Sequence, residues 1–416
     1  MRLAIFTDSN LHYLDGVARI LQELIAYVNR HPEHRLVFFH RDTGATRILE
    51  PLKKEHGAQA ISYGYRAKCL TVPNYGAYPW FYLLSPKRRI LQKVRDFDPD
   101  MILTITPYIP RGIGRSALFA ARRTSTPVVG SFDLQLSWNS EYYIKRITKI
   151  SVFVSFLRWF VGIQMHSYSR CAGILVPSHA MMDHVNDTYP RLPASLFPRG
   201  VDGQSFNPGK RSKSFRMKHG LTDKVIILFV GRLALEKNLR ALARIYKRVK
   251  AKRPQAALLL VGEGPERRWY ESQGYPDVVF TGALYGDELF TAYASADLFA
   301  FSSLAEAGPV VILEAMASGL PVIVPATGGA RDSVTEGSTG FVVEDEIQFE
   351  SRLDELVGDG ELRRKMGKEA RITAETRSWE SGFDRVMDIF RKLAVGGNGK
   401  KGTTTAHLQE TKDLKE

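Results

Sequence analysis

Cysteine is scarce: Cys69 and Cys171 are the only two in 416 residues. They cannot build a disulfide framework and lack the spacing of metal ligands. A reducing compartment is the simple expectation. Long apolar runs are missing too. The longest, Ile150–Ile163 in ISVFVSFLRWFVGI, is too short to span a bilayer and carries Arg158. It reads as a helix that is buried or faces a membrane. MRLAIFTD at the start lacks a basic leader and a long apolar core, so it reads as a β-strand and not as a signal peptide. No G-x-G-x-x-G follows that strand; TDSNLHYLDG stands there instead. An NAD-dependent Rossmann oxidoreductase is therefore a poor fit. The ten histidines form no H-x-x-x-H pair in a helical setting with a carboxylate, so no metal is implied. Neither an aromatic RNA motif nor zinc spacing supports a non-catalytic nucleic-acid binder.

What remains is an ordinary globular composition, 44% hydrophobic and 25% charged, with an uneven surplus of positive charge. Net charge is +14, and residues 1–200 hold 26 Lys and Arg against 14 Asp and Glu. PKRRILQKVR (Pro86–Arg95), Arg111, Arg115, Arg122, Arg123, Lys145, Arg146 and Lys149 carry most of it. Solvated helix faces explain such a surplus, and so does an anionic partner of the first half.

Short V/I/L-rich strands without alternation recur between helical patterns, which suits parallel strands covered on both faces. In the first half the expected strands are Leu3–Thr7, Leu36–His40, Met101–Thr106, Pro127–Phe132 and Gly173–Pro177. Helices are expected at Val17–Asn29 and Ser116–Arg123. The pattern restarts at DKVIILFVGRL and continues through a helix at Leu239–Lys252, then AALLLVGEGPE, VVFTG, DLFAFSS and PVIVPATGG. Between the halves FPRGVDGQSFNPGKRSKS has a linker's composition. The expected fold class is α/β with two Rossmann-like, doubly wound parallel sheets and a cleft between them. The expected domains are 1–199 and 200–378, then a helix over 379–394 crossing back to the first, then a disordered tail over 395–416.

Ligands of such sheets bind beyond the carboxyl ends of the strands. Two motifs stand there. In FVGRLALEKN (Phe229–Asn238), Arg232 and Lys237 approach the entrance of a helix. Cations oppose the dipole at that end, so the position calls for an anionic ligand or a carboxylate partner. A guanidinium fork and a compact ammonium suit a diphosphate. In SSLAEAGPVVILEAMASGLPVIVP (Ser302–Pro325), Pro309 suits the first helical position. The amides of Gly308, Val310 and Val311 are then free to face a ligand. Glu306 projects from the loop and Glu314 lies inside the helix. Carboxylates accept well from paired sugar hydroxyls. The plainer reading, two exposed glutamates, is weakened by apolar Ile312, Leu313, Ala315 and Met316.

Arg232, Lys237 and the glutamates of EAGPVVILEAMASGLPV resemble the retaining, nucleotide-sugar-dependent glycosyltransferases of family 4, with the GT-B fold. PRGVDGQSFNP (Pro198–Pro208) is similar to that family's hinge. LLVGEGPE, TGGARDSVTEGSTGFVV and Trp379 match as well. The resemblance covers about Met1–Leu393 and is densest over Arg199–Val343. It implies that Arg232 and Lys237 neutralise the donor diphosphate, that Glu306 holds the sugar hydroxyls, and that Glu314 holds the ribose. It further implies that Ala307, Gly308, Pro309, Val310 and Val311 contact donor sugar and phosphate, and that Gly16 belongs to a glycine loop near the phosphates. By the same resemblance, backbone at Gly262, Glu263, Gly282, Ala283 and Leu284 is expected to border the base.

Where the family often has histidine, this chain has Asp133. An ionised carboxylate cannot donate a hydrogen bond as an imidazole can. Asp133 is kept as a catalytic candidate beside Arg232, Lys237 and Glu306, with helix capping as its alternative. DFDPD (Asp96–Asp100) imitates an acidic metal motif, but it precedes a strand and reads as a helix-to-strand connection. The expectation is transfer of a hexose from a UDP- or GDP-sugar to a lipid or glycan acceptor, without metal or other cofactor. An anionic membrane surface is a candidate partner and nucleic acid is not. The expected location is cytoplasmic, at the inner membrane face. Tyr75, Tyr78, Trp80, Phe81, Tyr82, Phe156, Trp159 and Phe160 lie near the charges and suit such an interface.

Overall fold

The computed structural model describes residues 1–8, 16–41, 60–65, 69–72, 75–82, 87–105, 112–132, 159, 162, 166–304 and 306–397. Most apolar runs that read as strands are strands, and they assemble into two parallel sheets. The first has seven strands in the order β3-β2-β1-β6-β7-β8-β9. These are Ala60–Tyr65 (β3), Arg35–Arg41 (β2), Arg2–Thr7 (β1), Met101–Thr104 (β6), Val128–Ser131 (β7), Gly173–Val176 (β8) and Ala194–Leu196 (β9). Cys69–Val72 (β4) and Tyr75–Tyr82 (β5) form a separate antiparallel pair. The second sheet has six strands, β12-β11-β10-β13-β14-β15. They are Val278–Gly282 (β12), Ala256–Val261 (β11), Val225–Val230 (β10), Leu298–Ala300 (β13), Val322–Pro325 (β14) and Gly340–Val343 (β15).

The first strand of each sheet sits in its middle, so each has a point where the chain reverses its direction of winding. In the second sheet β10 leads outward to β11 and β12, and the chain then returns to lay β13 on β10's other side. Loops leaving β10 and β13 diverge there and open a crevice. Ile227, Phe229, Leu258 and Leu260 feed one core layer of this sheet, and Ile226, Leu228, Leu259 and Phe299 the other. Continuous apolar strands have two covered faces, as the sequence pattern requires.

Several boundaries differ from expectation. β6 ends at Thr104, and Thr106 lies outside the described residues. The first helix is Gly16–Arg30, one residue longer at each end than expected. The helix expected at Ser116–Arg123 spans Ile113–Thr124, because the Asp8 carboxylate accepts from the amides of Ile113 and Gly114, both at 2.8 Å, and anchors an earlier turn. The last helix is Trp379–Gly397, three residues beyond its expected end. The tail after 397 lies outside the described residues. DFDPD is structural: Arg2 donates to Asp98 at 3.0 Å and to Asp100 at 2.9 Å, tying the connection to β1.

The final helix lies on the first. Phe383, Val386, Met387 and Phe390 share a buried cluster with Leu3, Ile5, Leu21 and Leu24. Each buried aromatic there contributes roughly 2 kcal/mol. Polar ties flank the cluster. Tyr27 donates to Asp384 at 2.7 Å, and Glu380 takes both Arg30 and His31 at 2.5 Å. The chain thus passes between the sheets twice, and the two passages run side by side: the Val201 amide donates to the Arg377 carbonyl at 3.0 Å. Such a narrow pair of crossings is suited to act as a hinge.

Candidate functional site

The helix Leu239–Lys252 begins where the sequence pattern places it, but Lys237 is not in it. Leu235–Lys237 is one short 3-10 turn, and Asn238, with φ 51°, redirects the chain into the helix. Arg232 follows β10 directly, half-buried. Its backbone neighbour Leu233 donates to the Glu263 carbonyl at 2.9 Å, locking the loop after β10 to the loop after β11.

That lock needs two backbones to approach closely. Gly262 has φ +139°, and a Cβ there would lie 2.0 Å from the Gly231 carbonyl oxygen. No other residue type fits without moving a loop. Across the crevice the same device recurs: a Cβ on Gly329 would lie 2.0 Å from the Ala307 carbonyl oxygen, and its amide donates to the Glu306 carbonyl at 2.8 Å. GEGPE is therefore a structural turn that borders the site, and TGG fixes the loop carrying Glu306.

The helix carrying Glu314 is Val310–Ala317. Pro309 is its N-cap with ψ 111°, not its first helical residue as the sequence suggested; helix dihedrals begin one position later. The amides of Val310 and Val311 have no intrahelical acceptor, as at any helix start. That first turn follows the loop that leaves β13.

There the loops meet. The Lys237 ammonium and the Glu306 carboxylate form an ion pair, each side chain about one-fifth exposed, at 21% and 23%. Ser303 donates to the same Glu306 oxygen at 3.0 Å. Ser302 donates to the Lys237 carbonyl at 2.7 Å, and the Ser303 hydroxyl also reaches the Glu236 carbonyl at 3.1 Å. The sequence argument required an anionic ligand or a carboxylate beside Lys237, and Glu306 is that carboxylate. Both serines belong to the site and were passed over in the sequence, where serine after a strand reads as an ordinary turn.

Glu314 is 8% exposed, and Tyr293 donates to it at 2.8 Å. Burial pushes its carboxyl above the usual range; Arg19 and the Tyr293 hydroxyl pull the other way, and Glu23 adds to the push. Tyr293 lies in the helix Gly286–Ser295, in an Ala-rich stretch whose pattern gave no sign of a polar task. Glu263 is exposed and pairs with Arg267 at 2.5 Å. Ala283 and Leu284 follow β12 on the same sheet edge. Gly16 opens the first helix, and a β-carbon there would meet nothing within 4 Å among the described residues. Asp133 lies outside the described residues, two positions past the end of β7. Among the described residues no group of three or more His, Cys, Asp or Glu is placed to hold a metal ion.

The pattern described as Glycosyl transferases group 1 matches residues 211–373, and that of Glycosyltransferase Family 4 matches residues 14–204. The chain is 32% identical to the sulfoquinovosyl transferase SQD2 of Arabidopsis thaliana, over 95% of this chain and 74% of that protein. It is 31% identical to a GDP-mannose-dependent alpha-mannosyltransferase of Mycobacterium tuberculosis, over 98% of this chain and 99% of the relative. Anabaena HepE, solved with UDP-glucose, superposes with a TM-score of 0.69 at 17% identity, over 94% of this chain and 100% of that one. The last likeness speaks to fold alone, and the fold is GT-B. The two crevice-bearing parallel sheets, the cation and carboxylate at the switch point of the second, and full-length similarity at about one-third identity place this chain among the family 4 glycosyltransferases, as a hexosyltransferase.

Proposed function

We propose that this enzyme transfers a hexose, with retention, from a nucleotide-diphosphate sugar to a lipid-linked acceptor at an anionic membrane surface. The observation that carries the donor half is the convergence of Lys237, Glu306 and the first-turn amides of Val310–Ala317 at the switch point between β10 and β13. Arg232 and Lys237 balance the diphosphate charge, which needs no metal ion to do so. When donor binds, the diphosphate takes Lys237 and Glu306 turns to the sugar hydroxyls. Glu314 accepts from the ribose. Gly16 approaches the phosphates from the first sheet, and the Gly262–Glu263 and Ala283–Leu284 backbone borders the base. The first domain receives the acceptor.

The bond from the anomeric carbon to the phosphate oxygen breaks, and the acceptor oxygen bonds to the same face of that carbon. The acceptor proton passes to the departing phosphate oxygen, so no protein nucleophile is required. Relatives named GDP-mannose-dependent support a nucleotide-sugar donor, and the sulfoquinovosyl transferase shows that the sugar differs among relatives. Thermal shift and calorimetric titration with UDP, GDP, ADP, NAD and an oligonucleotide test the reading. A uridine or guanosine diphosphate stabilises the protein and the others do not; stabilisation by NAD or the oligonucleotide alone refutes it.

No described helix is long and apolar enough to cross a membrane, so docking rests on a surface. The helices Lys87–Phe97 and Ile113–Thr124 present one. Lys87, Arg88, Arg122 and Arg123 are exposed there, and none pairs with a carboxylate among the described residues. Lys87 and Arg123 flank the half-buried Phe119 ring at 5.3 and 5.6 Å. The aromatic side chains of Tyr75, Tyr78, Trp80, Phe81, Tyr82, Phe156 and Phe160 lie outside the described ones, whereas Trp159 is exposed. Changing Lys87, Arg88, Arg122 and Arg123 together to glutamine should weaken binding to vesicles with about one-third anionic lipid by roughly 10²- to 10³-fold, at ~1 kcal/mol per cation. Vesicle binding indifferent to anionic lipid in the parent contradicts this surface.

A further inference from the structure

Arg19 has no task in the donor chemistry just described, yet its setting is unusual. It lies on the first helix, one turn past Gly16, with its side chain only 27% exposed. One guanidinium nitrogen, Nη2, meets Glu23 at 3.0 Å. Its Nε is buried with no hydrogen-bond partner among the described residues. An unpaired buried donor of a cation is costly, and a single ion pair on the same helix does not account for it.

The second domain faces it. Val310 packs in the cluster that contains Ala18 and Leu21 of the first helix. Glu314 is one turn further along the helix of Val310, on the same side, because residues four apart share a face. The field of Arg19 reaches Glu314 and also Asp202 at the hinge. Asp202 is fixed by the amides of Gln204 and Ser205 at 3.0 and 3.2 Å. One cation of the first domain thus faces carboxylates from both domains.

We propose that Arg19 is a positioning residue that acts through Glu314: when the two domains close, it holds the Glu314 carboxylate charged and turned toward the nucleotide, so that closure and nucleotide binding reinforce each other. The proposal rests on the reading of Glu314 as the ribose acceptor. Glu314 is a carboxylate in a site where burial favours its neutral form. A protonated carboxyl offers fewer acceptors to a pair of ribose hydroxyls. Among the described residues the groups around it are few. Arg19 and Glu23 face it from the first helix and Tyr293 from Gly286–Ser295. Arg371, on the neighbouring helix Gly360–Glu375, is committed to carbonyls of Phe206 and Ala317 at the far end of the helix. Arg331 and Asp332 lie on the segment Gly328–Ser333, where Asp332 accepts from the His179 amide at 2.5 Å. Among the described residues Arg19 is the cation that draws Glu314 back toward its charged form.

The test is calorimetric titration of the full chain with the nucleoside diphosphate it prefers, between about pH 5.5 and pH 8.5, for the parent, Arg19→Gln, Arg19→Lys and Glu314→Gln. Arg19→Gln should bind about as tightly as the parent at the alkaline end and roughly tenfold more weakly at the acid end, a loss of one charge-assisted hydrogen bond. Arg19→Lys should restore the parent profile. Glu314→Gln should bind weakly at every pH, and adding Arg19→Gln should change nothing further, since the two act as a unit. Arg19→Gln with the parent's pH profile, or equal weakening at all pH values that lysine does not rescue, overturns the proposal. If the parent itself binds no nucleoside diphosphate, it is the nucleotide-sugar reading that fails. Melting curves of each variant confirm that the folded protein is titrated.

Discussion

Replacing both Arg232 and Lys237 with glutamine should lower the kcat/KM of sugar transfer by about 10³-fold or more. Charge builds on the diphosphate as the glycosidic bond breaks, and fixed cations need no reorganisation to meet it. Loss of a single fixed donor of this kind typically costs 10²- to 10³-fold. The structure makes the two positions unequal. Lys237 is held by the loop after β13, with Glu306 on its ammonium and Ser302 on its carbonyl. Arg232 stands at the very exit of β10. Each single variant should therefore lose substantial rate, and Lys237→Gln should also free Glu306, leaving a carboxylate beside the phosphate site. Repulsion by that carboxylate adds to the loss, so Lys237→Gln/Glu306→Gln should bind the diphosphate better than Lys237→Gln alone. Initial rates with radiolabelled donor and a membrane extract as acceptor give the comparison.

Gly262→Ala should cost about 4 kcal/mol or more of stability, lowering the melting temperature by about 10 °C. A β-carbon at this position meets the Gly231 carbonyl oxygen at 2.0 Å, and φ +139° is a conformation that side chains disfavour. Neither side can yield cheaply. Gly231 donates to the Val261 carbonyl at 3.0 Å, and Gly262 donates to the Gly282 carbonyl at 2.8 Å. Any relief displaces the loop that carries Arg232, so surviving activity should fall more than the folded fraction does. Alanine at Gly220, where a β-carbon meets nothing within 4 Å, is the control: its positive φ of +67° is the only penalty. Equal melting temperatures for Gly262→Ala and the parent would show that the two loops are not locked as described.

The sequence was most legible where burial on both faces dictates composition. VIILFV and AALLLV can only be central strands, and β10 and β11 are found there. Short or mixed strands were harder. β9 has three residues, β3 contains a glycine, and β15 sits in a motif noticed for its resemblance and not for its pattern. Their existence depends on a neighbour offering an edge, which no local signal encodes. The site divides in the same way. Arg232, Lys237 and Glu306 follow strands, and the strand-exit rule locates them. Tyr293, Arg19 and Asp8 lie on distant segments and acquire their roles by packing: Tyr293 meets Glu314 across 21 positions, and Asp8 reaches the helix at Ile113 across 105. Glu314 was legible as a carboxylate in an apolar helix, whereas the groups that set its charge were not.

The central claim is that Arg232 and Lys237 act on charge that develops during bond breaking, beyond merely holding the donor. Single-turnover rates at saturating donor separate the two, because uniform binding alters KM and transition-state stabilisation alters the rate at saturation. For Arg232→Gln/Lys237→Gln the account predicts a saturating rate at least about 100-fold below the parent's. A saturating rate equal to the parent's, with only the half-saturating donor concentration raised, would contradict it.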